Sequence, residues 1–170
     1  MADKIVALSK ELNRASFKCG NSILDRYFHQ QVSRDLKAKL CTCFVLCEDG
    51  QHLVKGYHTL SNASIPRELI PADISKKLPR YPQLPVTLLG RLAVDENFKG
   101  KGYGELLLLD ALKKSREASK VAIGSMAVIV DPIDQAAEVF YRKYGFIHLP
   151  DSKKMFMAMK TIAELFEIQG

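Results

Sequence analysis

No apolar stretch in these 170 residues approaches the roughly 18 to 20 that a membrane-spanning helix requires. The best run, Val121 to Val130, is interrupted by Gly124 and Ser125. Met1 to Leu12 mixes Asp3, Lys4, Lys10 and Glu11 among apolar residues and lacks the uninterrupted core of a secretory signal. A cytoplasmic protein with no membrane partner is expected. Metal chemistry is equally unsupported: Cys19, Cys41, Cys43 and Cys47 form no C-x-x-C pair, and no second knuckle of Cys or His stands at the spacing of tetrahedral zinc. The cysteines read as small buried hydrophobes, and no metal is expected. Repeats, low-complexity tracts and Gly/Ser linkers are also missing, so residues 1–170 are expected to form a single domain.

What is present is an ordinary globular composition: 47% hydrophobic, 26% charged, with 10 Gly and 7 Pro, which excludes collagen, coiled coil and disorder. The net charge is +6, and its placement says more than its size. Residues 1–90 carry 13 basic and 8 acidic groups, residues 91–170 carry 12 and 11, so the excess lies in the first half. A basic surface attracts polyanions such as RNA, DNA or a nucleotide cofactor, although a modest imbalance also serves as a solvated face.

Hydrophobic periodicity gives the element order. Ile5 to Leu12 reads as a strand or its approach. Leu24, Phe28, Val32, Leu36 and Leu40 recur every four residues, which predicts a helix within Asn21 to Leu40; its opposite face carries Arg26, Gln30, Arg34 and Lys37. Cys41–Glu48 and Val54–Ser61 read as an antiparallel hairpin around Asp49 to His52. The proline-rich stretch Ser64 to Pro85 reads as a long functional loop with one short helix near Ala72 to Leu78. A strand over Val86 to Val94, a helix over Gly104 to Ser119, a strand over Val121 to Val130, a helix over Asp134 to Tyr144 ended by Gly145, and a strand over Lys154 to Met159 complete the pattern. The order β, α, ββ, loop, βαβαβ predicts an α/β fold with a mixed, mostly antiparallel sheet flanked by helices.

The richest segment runs from Leu89 through Lys99-Gly-Lys-Gly-Tyr-Gly into the following helix. Glycines allow close backbone approach, and free N–H groups at a helix N-terminus converge on phosphate oxygens with help from the helix dipole. Two common phosphate motifs fail on spacing. No Lys-Ser or Lys-Thr follows the glycines as a P-loop demands, and a dinucleotide fingerprint would need glycine or alanine at Glu105 or Leu107.

The stretch Lys99-Gly-Lys-Gly-Tyr-Gly resembles the pyrophosphate-binding signature of the GNAT family of acetyl-CoA-dependent N-acetyltransferases, Arg/Gln-x-x-Gly-x-Gly/Ala, with Lys99 at the Arg/Gln position. Asp134-Gln-Ala-Ala-Glu-Val-Phe-Tyr-Arg-Lys-Tyr-Gly-Phe is similar to a second element of that family, Asn-x-x-Ala-x-x-x-Tyr-x-x-x-Gly-Phe, with Asp134 where Asn is common. Asn13-Arg-Ala-Ser-Phe-Lys-Cys-Gly-Asn, Leu24-Asp-Arg-Tyr-Phe, Tyr57-His-Thr-Leu-Ser, Leu78-Pro-Arg-Tyr-Pro, Leu89-Gly-Arg-Leu-Ala-Val and Met159-Lys-Thr-Ile resemble one branch of it. That branch comprises the toxins of bacterial toxin-antitoxin operons, which acetylate the amino group of aminoacyl-tRNA and are paired with ribbon-helix-helix antitoxins. The resemblance implies a GNAT-like fold, acetyl-CoA as cofactor, a homodimer and an antitoxin partner.

Carried over residue by residue, the resemblance implies that Leu92, Ala93 and Val94 pair their backbone with pantetheine, that Lys99, Gly100, Lys101, Gly102, Tyr103 and Gly104 hold the pyrophosphate, and that Asp134 also faces the cofactor. Tyr141 aligns with the catalytic tyrosine. A phenol with a reference pKa of about 10 is protonated at neutral pH and can donate to a leaving thiolate. For the RNA, the basic candidates are Arg34, Lys37 and Lys39 on the early helix, Lys76, Lys77 and Arg80 in the proline-containing loop, and Arg91 beside the cofactor strand.

No carboxylate stands out as a general base; Asp95 and Glu96 read as turn residues and His58 as a strand histidine with an ordinary hydrogen bond. An α-amine with a pKa of about 7.7 to 8.0 is partly neutral at pH 7, whereas a lysine amine near 10.4 is neutral only about once in a thousand. An α-amino acceptor therefore suits the chain better than a lysine. Two other functions fit the same residues: acetyl transfer to a metabolite, antibiotic or protein amine, and a non-catalytic CoA- or RNA-binding module.

Overall fold

A computed structural model describes residues 2–167. Among the described residues seven strands hydrogen-bond in the order β1-β2-β3-β4-β5-β7-β6, and six α-helices accompany them: the expected mixed α/β fold. The pairs β1–β2, β2–β3, β5–β7 and β6–β7 run antiparallel, and β4–β5 is parallel. The chain divides into two compact units, Met1–Ser61 with Leu89–Ala111, and Asn62–Leu88 with Leu112–Gly170.

The first unit contains β1 (Asp3–Ala7), α1 (Ser22–Arg26), α2 (Val32–Lys37) and β2 (Thr42–Glu48). It also holds most of β3 (Val54–Pro66), the end of β4 (Gln83–Val94) and the start of α4 (Tyr103–Val121). Asn21 opens α1, its side-chain oxygen accepting from the Ile23 and Leu24 amides. The single helix expected over Asn21 to Leu40 is interrupted by a π-helical turn, Tyr27–Gln31, where the Val32 amide donates to the Tyr27 carbonyl five residues back. Arg14 donates to the Phe28 carbonyl at 3.1 Å inside that turn. The apolar stripe survives the insertion, because Phe28 and Val32 are both fully buried. Leu40 lies beyond the helix and is 63% exposed, so it does not extend the stripe. Phe17, Phe28 and Tyr57 form the centre of this unit's core: Phe28 stacks on Tyr57 at 4.3 Å, and Phe17 meets both edge-on.

The second unit contains α3 (Ala72–Ser75), β5 (Ala127–Val130), α5 (Gln135–Lys143), β6 (Ile147–His148), β7 (Met155–Ala158) and α6 (Met159–Glu167). Ile65, Ile70, Leu84, Val86, Ala127, Ile129, Leu149 and Phe156 make its core. The loop expected from Ser64 is shorter, because β3 continues to Pro66 and β4 already begins at Gln83. Arg67 fastens what remains, donating to the carbonyls of Ser75, Leu78 and Pro79. The strand expected over Val121 to Val130 is confined to Ala127–Val130, since Val121 still belongs to α4 and is 87% exposed. The two-residue strand β6 and the helix α6 go beyond the elements expected from the sequence.

Candidate functional site

In the first unit, β4 delivers the chain to the glycine turn through a fixed corner. Asp95 is 4% exposed, and its carboxylate accepts from the Asn97 amide at 2.9 Å and the Lys18 amide at 3.0 Å. It therefore caps the short helical turn Glu96–Phe98. Gly100 and Gly102 then take φ values of +78° and +81°, a left-handed conformation that side chains disfavour. A Cβ built on either would meet nothing within 4 Å. These glycines are thus required by the backbone rather than by packing, and the space before the turn is open. The amides of Tyr103, Gly104 and Glu105 open the 19-residue helix α4 and have no acceptor one turn back within it. Open space, positive-φ glycines and converging amides at a long helix's N-terminus suit an anionic diphosphate.

The lysines of the turn behave differently from its backbone. Lys99 donates from Nζ to the Cys19 carbonyl at 2.6 Å. Lys101 is exposed, with its Nζ 5.4 Å from the Phe98 ring centre. The Tyr103 ring lies 6.3 Å from Phe98 and 5.3 Å from Lys55 Nζ, and Lys55 pairs with Asp3 at 2.7 Å. So Lys99 and Tyr103 turn their side chains toward their own unit and leave the main chain to face a ligand. On β4, Ala93 is buried in the core while Leu92 and Val94 are half-buried. Gly56 lets β3 approach here: a Cβ at that position would stand 2.7 Å from Leu107 Cδ1 and 2.8 Å from the Ala93 carbonyl oxygen.

His58, on β3, is fully buried, and its Nε2 lies 2.8 Å from Asp110 on α4. Its Nδ1 is buried without a hydrogen-bond partner, so the ring is not the ordinary strand histidine expected from the sequence but a carboxylate-paired one with an orphaned nitrogen. All four cysteines are free thiols, and among the described residues no cluster of three or more His, Cys, Asp or Glu side chains is placed to hold a metal.

Arg34, Lys37 and Lys39 are exposed in the first unit, where Lys39 has φ +63° just past α2. Arg91 is half-buried, and its guanidinium carbon lies 3.4 Å from the centre of the Tyr27 ring. Tyr27 donates to Asp35 at 2.7 Å. Tyr27 and Asp35 are partners of Arg91 that charge counting does not reveal.

In the second unit, Asp134 accepts from the Ala137 amide at 2.8 Å and caps α5. Tyr141 is buried on that helix between the rings of Phe140 and Phe146, both at 5.3 Å. Burial raises its pKa above that of an ordinary phenol, so the proton is retained. Gly145 ends the helix at φ +104°, and the Phe146 amide returns to the Tyr141 carbonyl at 3.1 Å. Lys76, Lys77 and Arg80 are exposed on the loop held by Arg67.

Residues 39–148, which include both the glycine turn and the Tyr141 helix, match the family model described as an acetyltransferase (GNAT) domain. The chain belongs to the GNAT acetyltransferases. It is 32% identical over 151 residues to a tRNA-acetylating toxin of Mycobacterium tuberculosis (strain ATCC 25618 / H37Rv), covering 88% of each chain. Among solved structures it resembles AtaT complexed with acetyl-methionyl-tRNAfMet, with a TM-score of 0.89, 28% identity and coverage of 97% of this chain and 99% of that one. It also resembles a tyrosine-to-phenylalanine mutant of AtaT bound to the C-terminus of the antitoxin AtaR and acetyl-CoA, with a TM-score of 0.81 and 25% identity over 96% of this chain and 98% of that one. Within the GNAT family the open turn has a chemical counterpart: acetyl-CoA carries a diphosphate of the kind those amides can hold. Among the described residues no helix is long and apolar enough to cross a membrane.

Proposed function

We propose that this chain is an acetyl-CoA-dependent N-acetyltransferase that acetylates the α-amino group of aminoacyl-tRNA and thereby stops translation. The observation that carries the enzyme class is the open, positive-φ turn at Gly100 and Gly102, which leads directly into α4. The acceptor rests on the likeness to a tRNA-acetylating toxin across 88% of the chain. Acetyl-CoA supplies the acetyl group as an activated thioester.

In this reading the main chain from Lys99 to Gly104 anchors the diphosphate, and the backbone of Leu92, Ala93 and Val94 orients the pantetheine arm. Lys101 adds positive charge at long range. Holding both reactants in place supplies several kcal/mol of the barrier reduction without a new charged group. Tyr141 keeps its phenolic proton because burial disfavours the phenolate, and it donates a hydrogen bond to the departing thiolate, which ends as the thiol by taking up the proton that the amine sheds on forming the amide. The Asp95 carboxylate is consumed by two backbone amides, and the neutral fraction of an α-amine with a pKa of about 8 is large enough to perform the attack without a dedicated base. Exposed Arg34, Lys37 and Lys39, with Arg91, supply positive charge for the polyanion in the first unit, and exposed Lys76, Lys77 and Arg80 do so in the second. The protein acts in the cytoplasm as a homodimer, and a ribbon-helix-helix antitoxin silences it by laying its C-terminal tail over the site.

Mass analysis of charged tRNA after incubation with labelled acetyl-CoA tests the proposal. An acetyl group on the esterified amino acid, lost in Tyr141→Phe with the fold intact, is the expected result. Acetylation confined to free amines, with a rate indifferent to salt, would instead identify a small-molecule acceptor; retained turnover in Tyr141→Phe would remove that residue from the mechanism.

A further inference from the structure

Arg91 differs from the other basic candidates in being fixed. Its guanidinium lies over the Tyr27 ring at 3.4 Å, close enough for a flat cation–π stack. That ring is itself locked. Tyr27 donates to one Asp35 oxygen at 2.7 Å, and Gln31 donates to the other at 3.0 Å. Each oxygen of the nearby Asp35 carboxylate thus accepts one hydrogen bond, and its charge attracts Arg91 from beyond direct ion-pair distance, leaving the guanidinium N–H groups unpaired by it. Tyr27 and Gln31 bound the π-helical turn, a local insertion that is uncommon in helices and recurs at functional sites. Arg14 braces the turn through the Phe28 carbonyl.

We propose that Arg91 is a preorganised phosphate clamp for the RNA, and that Tyr27 and Asp35 are its positioning residues. This rests on the aminoacyl-tRNA reading above and adds to it a specific anchor with a built support. A guanidinium stacked on a ring keeps its N–H fork in one plane, which matches two phosphate oxygens, whereas a lysine in the same place is only a point charge. The stack withdraws the cation from bulk motion without neutralising it. Exposed Arg34 and Lys37 lie on the same helical segment as Asp35, so a backbone held at Arg91 meets further positive charge along α2.

The test is steady-state acetylation of charged tRNA by the full chain, with direct binding of fluorescein-labelled deacylated tRNA read by anisotropy. Arg91→Gln should raise KM for charged tRNA at least tenfold, leave KM for acetyl-CoA within twofold, and flatten the dependence of log(kcat/KM) on log salt by about one. Arg91→Lys should recover the salt slope but little of the KM. Tyr27→Leu should reproduce the KM defect, Tyr27→Phe should give a smaller one, and Arg91→Gln combined with Tyr27→Leu should be no worse than Arg91→Gln alone. A purely structural Tyr27 would give additive losses and a full rescue by Arg91→Lys, which would overturn the clamp. So would a rise in KM for acetyl-CoA instead of for tRNA, because the phosphate would then belong to the cofactor. Acetylation present but independent of Arg91, in KM and in binding, removes the clamp alone. Arg91-dependent tRNA binding with no acetylation removes the reaction and leaves the clamp standing.

Discussion

Lys99 donates its ammonium to the Cys19 carbonyl oxygen at 2.6 Å, so the first cation of the glycine turn is held by the chain itself. It pins the loop before α1 to the glycine turn that follows β4, and that loop also carries the Lys18 amide which satisfies Asp95. Lys99→Met should therefore act on stability more than on cofactor affinity. The expected cost is about 1.5 kcal/mol, the low end for a hydrogen bond involving a charged group since Lys99 is exposed, with KM for acetyl-CoA changed less than about threefold. Urea denaturation beside initial rates decides it: an intact midpoint with a large KM increase would assign the side chain to the cofactor.

Two glycines of the first unit should fail in opposite ways. Gly102→Ala places a methyl in open space at φ +81°, so its stability cost is limited to about 1 to 2 kcal/mol of left-handed strain. That methyl stands where the proposed diphosphate approaches, and KM for acetyl-CoA should rise by about tenfold or more. Gly56→Ala instead drives a methyl to 2.7 Å from Leu107 Cδ1 and 2.8 Å from the Ala93 carbonyl. Overpacking of this kind costs about 1 to 3 kcal/mol, and backbone on one side leaves little room to yield. Thermal melts with acetyl-CoA titrations separate the two, and equal KM defects would refute the distinction.

Much of this was legible in the sequence because its signals are local. The glycine turn, the helix beginning near Asp134, the stop at Gly145 and the strands of the hairpin each follow from a few adjacent residues. What escaped depends on partners far along the chain. Helix α6 starts without glycine or proline directly after β7, and the 2.8 Å hydrogen bond from the Met159 amide to the Met126 carbonyl that accompanies this junction joins residues remote in sequence. The π-helical turn keeps the four-residue apolar spacing while adding a residue of backbone slack, so periodicity alone reads it as plain helix. Val121 and Ile123 look like strand residues by type, yet both are exposed. The polar anchors Lys99, Arg91 and Arg67 were visible as charges, but charge does not disclose whether a cation faces solvent or its own chain.

Arg67 makes the proline-containing loop a fixed object. Its guanidinium serves the carbonyls of Ser75, Leu78 and Pro79, and its amide donates to the Pro82 carbonyl at 3.0 Å. Lysine cannot reach several acceptors with one planar fork, so Arg67→Lys should loosen the loop nearly as much as Arg67→Met. Limited trypsin digestion should then cut after Lys76, Lys77 and Arg80 several times faster than in the parent chain, while β-sheet circular dichroism stays constant. Unchanged cleavage rates would mean that the prolines alone hold the loop.

Alkaline pH should unfold the protein through its thiols before its phenols. Burial pushes Cys43 up from an ordinary 9.0 to about 12, and burial aided by the Asp25 carboxylate pushes Cys19 to about 11. Both therefore remain protonated in the folded chain at a pH where the unfolded chain has ionised them. The unfolded state then binds fewer protons, so stability is level below pH 9 and falls as pH rises from 9 through about 12. Tyr57 and Tyr141, also raised by burial, join the decline above pH 10, the ordinary phenol value. Urea midpoints at pH 8, 9.5 and 10.5 should drop steadily, and Cys43→Val, which removes one of the three thiols raised by burial, Cys19, Cys43 and Cys47, at little cost in volume, should make that drop shallower. A midpoint that holds to pH 10.5, or the same slope in Cys43→Val, would show that these thiols ionise in the folded chain as readily as in water.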